Sequence, residues 1–183
     1  MTNTETCRLH STTKASPVGV LTLVASDVGL RAVLWEHERP ARVPLPVVGA
    51  TDDHDHPVLR AAVVQLGEYF AGGRQRFDLP LDLDGTPFQQ AAWLALERIP
   101  YGTTVSYGEQ AAHLGDRRKA RAVGAAIGRN PLSIVLPCHR VIGRDGALTG
   151  FAGGLDAKRA LLSLEASQGC LTLPGDDARR EQP

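Results

Sequence analysis

The sequence predicts an α+β fold. A small N-terminal α/β domain, an antiparallel sheet with one packed helix, precedes a mostly helical C-terminal domain carrying a helix-turn-helix of winged-helix-like outline. Three observations predict it. β-prone runs separated by turn residues mark positions 7–35. Helix-period apolar stripes with start and stop signals dominate after Pro57. The charge balance changes sign near residue 85: residues 1–86 carry 8 Lys/Arg against 11 Asp/Glu, whereas residues 87–165 carry 10 against 6. The expected division is 1–85, 86–169 and a flexible tail at 170–183.

Thr12-Thr13, Leu21 to Ala25 and Leu30 to Trp35 are the strands of an antiparallel meander. Pro17 and Gly19 form one turn and Ser26-Asp27 the other. From Glu36 to Asp55 the order weakens. Pro40, Pro44 and Pro46 punctuate the run, and Asp52-Asp53-His54-Asp55-His56 reads as a solvated loop rather than a metal site. Pro57 opens a helix through Leu59, Ala62, Val63, Leu66 and Tyr69 that Gly72-Gly73 ends. Phe77 to Leu83 alternates in the manner of a further strand.

Thr86 caps a helix that begins at Pro87, with Phe88, Ala91, Ala92, Leu94, Ala95 and Ile99 as its apolar stripe. Ser106 and Glu109 fit a capping box for a short helix to about Leu114. Gly115-Asp116 turns the chain into a second helix, about Arg117 to Ile127, which opens with Arg117, Arg118, Lys119 and Arg121. This outline fits a helix-turn-helix, and on its own it fits many helical hairpins equally well. Ala122, Gly124, Ala125 and Ala126 make the second helix small-sided, suited to close packing inside the protein or to close approach to a groove. Asp145-Gly146 reads as a hairpin turn between Val141-Ile142-Gly143 and Ala147-Leu148-Thr149, and a last helix spans about Asp156 to Ala166.

Composition bounds the rest. An apolar fraction of 43% and a charged fraction of 22% over 183 residues describe a globular chain with a real core. No apolar run approaches the roughly 18 residues of a membrane span, and the first 16 residues lack the apolar segment of a secretory signal. Three cysteines at wide spacing make a disulfide framework unexpected and a cytoplasmic location the expectation. There is no Cys-x-x-Cys pair to build a zinc finger.

The stretch Asn130 to Arg140 concentrates the chemistry. Leu132 to Leu136 reads as one buried strand that Pro137 stops, and Cys138 stands at its end beside His139. Positive charge from His139 and Arg140 would lower the thiol pKa and make Cys138 a nucleophile; the bland alternative is a buried, inert cysteine. His139 would then be a base, and Glu165 a carboxylate able to fix its tautomer. Tyr107 and Arg121 are either a core phenol and a solvated helix face or parts of a site.

Ile134-Val-Leu-Pro-Cys-His-Arg-Val-Ile142 closely resembles the active-site motif of the O6-alkylguanine-DNA alkyltransferases. Gly85-Thr-Pro-Phe-Gln-Gln90, Ile99-Pro-Tyr-Gly102, Ser106-Tyr-Gly108, Ala120-Arg-Ala-Val-Gly124, Asn130-Pro131 and Gly150-Phe-Ala-Gly-Gly154 resemble the family in its order. The resemblance covers about residues 7 to 168. It implies minor-groove binding to duplex DNA by a monomer, in some cases clustered, and extrusion of the lesion base while Arg121 fills the vacated stack. Ala120, Ala122 and Gly124 would be the close-approach surface. It further implies transfer of the alkyl group from O6-alkylguanine, and O4-alkylthymine, to Cys138, once per molecule and without a cofactor. In that scheme His139 takes the thiol proton through a water, Glu165 holds His139, Tyr107 assists the leaving purine, and Asn130 braces the cysteine turn. Val141, Phe151, Ala152 and Gly153 form the pocket wall and lid. Phe151 and Ala152 depart from the tyrosine and serine of many members. Cys7 lies where some members have a zinc ligand, but Ser26 and Arg31 replace others, so no such metal site is expected.

Overall fold

The computed structural model describes residues 8–37, 42–43 and 50–169. Cys7, Cys170, the prolines of the 40s loop and the tail lie outside them. Three strands form the expected meander: β1 (Leu9–Ser16), β2 (Gly19–Ser26) and β3 (Leu30–Trp35), joined antiparallel in sequence order. Ser16 Oγ closes the first turn on Gly19 O at 2.6 Å. The region read as a solvated loop contributes a fourth strand. β4 (Thr51–Asp52) pairs parallel with β1, giving the order β3-β2-β1-β4. His10 and Thr12 of β1 supply the side-chain partners that sequence periodicity cannot show: Asp53 lies 2.9 Å from His10 and His54 2.6 Å from Thr12.

Helix α1 (Pro57–Phe70) packs on this sheet as expected. Its Leu59, Ala62, Leu66 and Tyr69 are fully buried with Leu21, Leu23 and Val33. The segment at 77–83 is extended but is not a strand. Its pairing with Leu30 stops at two hydrogen bonds, Leu30 N to Pro80 O and Asp82 N to Leu30 O, because Pro80 has no N–H to continue the ladder. Ser26 and Arg31 both bond Asp82, at 2.6 and 2.8 Å, and Arg31 also reaches Asp84.

Helix α2 (Pro87–Leu94) starts on a full capping box between Thr86 and Gln89, then tightens into a 3₁₀ turn at Ala95–Arg98. The stripe differs from the expected one. Phe88 and Leu94 are 40% and 45% exposed, while Trp93 and Leu96 face the core. Trp93 is held there by its Nε1–H bond to Ala126 O at 2.7 Å.

Strand β5 (Val105–Ser106) leads into α3 (Tyr107–His113), whose capping box joins Ser106 and Glu109. Gly115 makes the turn at φ 97°, a left-handed conformation costly for other residues. The second helix enters through a 3₁₀ turn at Arg117–Lys119 and becomes α4 (Ala120–Ile127). Strand β6 (Val141–Ile142) pairs parallel with β5, and α5 (Gly154–Gly169) closes the fold. The 147–149 arm of the expected hairpin forms no strand. Gly143 N–H to Ala147 O closes the turn, and the Thr149 carbonyl is taken by Lys158 Nζ. One apolar core runs from Leu21, Val33 and Trp35 through Leu66 and Trp93 to Leu136, Val141 and Leu161. Among the described residues, no helix is long and apolar enough to cross a membrane.

Candidate active site

The mount of Cys138 is a clamped turn, not a strand. Asn130 Oδ1 accepts the Leu132 N–H at 3.0 Å, and its Nδ2 donates to Leu136 O at 2.9 Å. One side chain therefore ties both ends of the Leu132–Leu136 run. Leu136 N–H returns to Leu132 O, and Val135 N–H to Ser133 O. The apolar run is closed on itself, so its residues supply burial rather than ladder pairing. The closure puts Ile134 at φ 73°, a conformation rare for a β-branched residue and a sign of backbone strain held by its surroundings. Val33 N–H to Pro131 O and Trp35 Nε1–H to Ser133 Oγ (3.1 Å) dock the turn on β3. Arg42 donates to Asn130 O from the other side.

Cys138 opens a 3₁₀ turn, Cys138–Arg140, and is 7% exposed. The expected source of its activation is corrected here. Burial pushes the thiol pKa up, opposed by a hydrogen bond from the Asn130 side chain and by the charges of Arg42 and Lys158. His139 is not a cation: burial drives its pKa down, against the pull of Glu165. Arg140 spends its guanidinium elsewhere. It donates Nε and Nη2 to Glu165 at 2.8 and 2.9 Å and Nη1 to Ile99 O at 2.7 Å.

Glu165 is the hub of this buried network. Its Oε1 also accepts from Tyr69 Oη at 2.8 Å and lies 2.7 Å from His139 Nε2, and its Oε2 accepts the Gly102 N–H at 3.1 Å. Burial alone would raise this carboxyl; the bonds from His139 and Arg140 outweigh it and hold the pKa at about 2. Facing an ionised carboxylate, His139 Nε2 carries the proton and Nδ1 the lone pair. Nδ1 has no hydrogen-bond partner, which leaves it able to accept one.

The helix-turn-helix residues meet the lid at a cavity of about 660 Å³, lined by Tyr107, Ala120, Arg121, Gly124, Phe151 and Ala152 together with Arg42 and Arg129. Tyr107 packs its ring over Gly124 and receives a long hydrogen bond from Thr149 Oγ1, 3.4 Å. Phe151 bridges the two groups, edge-on to Trp35 (5.3 Å) and to His139 (6.4 Å). Gly153 is required by close approach: a Cβ there would sit 2.6 Å from the Trp35 ring. Val141 is buried in the core and Ala122 faces solvent, so neither lines the cavity. A larger groove of about 1070 Å³ shares no lining residue with this one and contains neither Tyr107 nor Arg121.

Sequence reasoning missed Tyr69, Arg42 and Lys158. Lys158 is fully buried and ties Val141 O (2.6 Å) to Thr149 O (3.0 Å), joining the cysteine segment to the lid. Its place on the Ala157–Leu161 side of the last helix was the available signal, though Asp156 and Arg159 beside it mask it.

Two family models cover most of the chain. The ribonuclease-like domain of 6-O-methylguanine DNA methyltransferase matches residues 9–83, and the DNA-binding domain of the same family matches residues 87–167. The chain belongs to the 6-O-methylguanine DNA methyltransferase family. Among its relatives, the methylated-DNA–protein-cysteine methyltransferase of Mycolicibacterium paratuberculosis is 50% identical over 153 residues, 82% of this chain and 88% of that protein. The Methanosarcina acetivorans protein of the same name is 44% identical, over 83% and 95%. The crystal structure of Mycobacterium tuberculosis OGT in complex with DNA superposes with a TM-score of 0.78 at 47% identity, covering 87% of this chain and 94% of that one. Membership in the methyltransferase family accounts for the α+β architecture and for the order of the motifs around Cys138.

Proposed function

We propose that this protein repairs DNA by direct reversal, moving the alkyl group of O6-alkylguanine, and of O4-alkylthymine, onto its own Cys138. The observation that carries the reading is the coincidence of three features. A clamped, buried thiol adjoins a His139–Glu165 pair, and the lid residue Phe151 links His139 to a cavity walled by the helix-turn-helix. Relatives named as methylated-DNA–protein-cysteine methyltransferases, and one solved with DNA, support DNA as the partner.

The chemistry balances without a cofactor. The Cys138 thiol proton passes to His139 Nδ1 through a water, Glu165 steadies the imidazolium, and the thiolate attacks the alkyl carbon. The carbon–oxygen bond breaks with its electron pair going to the purine, whose charge Tyr107 Oη relieves by hydrogen bonding or proton donation. The product thioether has no return path, so each molecule acts once. Residues 1–85 would support the site, and residues 86–169 would bind DNA and accept the alkyl group. We place the protein in the cytoplasm, on the minor groove as a monomer that clusters on DNA.

Mass spectrometry after incubation with duplex O6-methylguanine DNA tests this directly. The expected result is one methyl per chain, on Cys138. An unmodified Cys138, or a reaction running past one equivalent of protein, overturns the reading.

Arg121 is exposed at the start of α4, beside the cavity. Extruding a base costs a few kcal/mol of stacking, which an inserted side chain offsets. Arg121→Ala is therefore expected to slow repair in duplex DNA by about 10²-fold while leaving reaction with free O6-benzylguanine within about twofold. Equal losses on both substrates would contradict the stacking role.

A further inference from the structure

The amino end of β1 carries a cluster that alkyl transfer does not use. His10 Nδ1 lies 2.9 Å from Asp53 Oδ2. Against a carboxylate at that distance Nδ1 carries the proton, so Nε2 presents its lone pair. That lone pair faces Asp27 Oδ1 at 3.7 Å, too far for a hydrogen bond. His56, immediately before α1, stacks its ring on His10 with centroids 4.5 Å apart. Its Nδ1 is shielded from solvent and has no hydrogen-bond partner. One ligand-type atom from each of His10, Asp27 and His56 lies within 4.8 Å of the other two.

We propose that His10, Asp27 and His56 bind a single zinc ion, with Asp53 as the carboxylate that orients the His10 ring. Two imidazoles and one carboxylate suit a borderline cation of this kind; calcium and magnesium favour all-oxygen sets. Zinc bonds are about 2.0–2.2 Å long, so the three ligands must draw together. The Asp27 side chain is 77% exposed and has the room to swing inward. The positive end of α1 opposes a cation here, and the carboxylates of Asp27 and Asp53 offset it. A bound ion would add a further tie between the β2–β3 turn, the start of α1 and β1, beyond the backbone pairing of β1 with β2 and β4. In the pairing of His10 with Asp53 the carboxylate would fix the tautomer of a metal-binding imidazole.

The test uses the full-length chain with Cys7→Ser, Cys138→Ser and Cys170→Ser, so that no thiolate competes, after stripping with a chelator. Titration calorimetry with zinc chloride is expected to show one ion per chain. Asp27→Asn, a change on an exposed side chain, and His10→Gln or His56→Gln are each expected to weaken binding at least about tenfold, and Asp53→Asn by about 10-fold or more. Zinc should raise the Tm of the parent and not that of His10→Gln. Absence of saturable uptake, or uptake that Asp27→Asn and the histidine variants leave unchanged, would overturn the proposal and leave His10 as a partner of Asp53 alone.

Discussion

Glu165→Ala is expected to destabilise the fold by about 3–5 kcal/mol, the usual cost of leaving a buried charge without its partner. The stranded charge is the Arg140 guanidinium, which loses two of its bonds while remaining inside the protein. Five N–H and O–H groups converge on the two carboxylate oxygens, from Tyr69, Gly102, His139 and Arg140. Glu165→Gln is therefore not a benign isostere. Whichever way the amide is turned, its NH₂ faces at least two other donors. In Glu165→Ala His139 loses the acceptor that sets its tautomer, and in Glu165→Gln it faces a neutral amide in place of a carboxylate; alkyl transfer is expected to slow by about 10²–10⁴-fold. Urea denaturation and single-turnover kinetics on the same samples separate the two effects. A Glu165→Ala protein of wild-type stability would remove the case for a buried ionic hub.

The same group sets the acid limit of the fold. Its pKa is about 2 in the folded protein, below the unfolded value of about 4.3. A depressed carboxyl contributes stability that is fully present above about pH 4.3 and is lost as pH falls toward about 2, on the order of 3 kcal/mol in all. His139 acts earlier. Its folded pKa lies below the ordinary imidazole value, so the unfolded chain takes up a proton first, and stability already declines as pH drops below about 6.5. Urea midpoints measured from pH 8 down to pH 3 are expected to fall in both ranges. Flat midpoints between pH 7 and pH 5 would contradict a buried neutral His139.

Local rules were enough for the helices. The starts at Pro57, Thr86 and Ser106 follow from caps and proline, and the structure reproduces them because those signals act within one turn of chain. The meander was legible for the same reason. What failed depended on partners distant in sequence. The run Leu132–Leu136 has strand composition, but a single amide from Asn130 closes it into a turn, and no periodicity reports a side-chain clamp. Residues 52–56 are largely exposed as expected, but the β4 pairing and the contacts of Asp53 and His54 come from His10 and Thr12, some forty positions earlier. The site shows the same division. Cys138, His139 and Glu165 are candidates from the sequence, and the structure brings His139 and Glu165 to 2.7 Å. Their electrostatics were not legible. Sequence adjacency suggested that His139 and Arg140 charge the thiol, whereas burial neutralises one and Glu165 engages the other. The cations that act on Cys138 come from Arg42 and Lys158, on separate elements.

Cys138→Ser is expected to abolish alkyl transfer while leaving stability within about 1 kcal/mol of wild type, since the exchange removes little volume and Asn130 can still serve the hydroxyl. The asymmetry follows from the chemistry of the site. Attack on an alkyl carbon needs an anionic nucleophile, and a serine hydroxyl is far harder to ionise than a thiol. His139, kept neutral by burial, can take up the proton of a thiol far more readily than that of a much weaker acid such as a serine hydroxyl. The wild-type thiol is itself held back, 7% exposed and raised in pKa by burial. Arg42, Lys158 and the Asn130 amide oppose that rise without reversing it. Gel-shift binding of the Cys138→Ser protein to a duplex bearing O6-methylguanine should match that of the unreacted wild type, because the cavity wall of Tyr107, Arg121 and Gly124 is untouched. Its mass should remain unchanged after hours with the same DNA, under conditions in which the wild type is expected to gain one methyl. Transfer by the serine variant would move the acceptor away from Cys138. Loss of lesion binding together with transfer would mean that the thiol also shapes the pocket, a result the clamp from Asn130 to Leu136 argues against, because that clamp closes through backbone groups and not through sulfur.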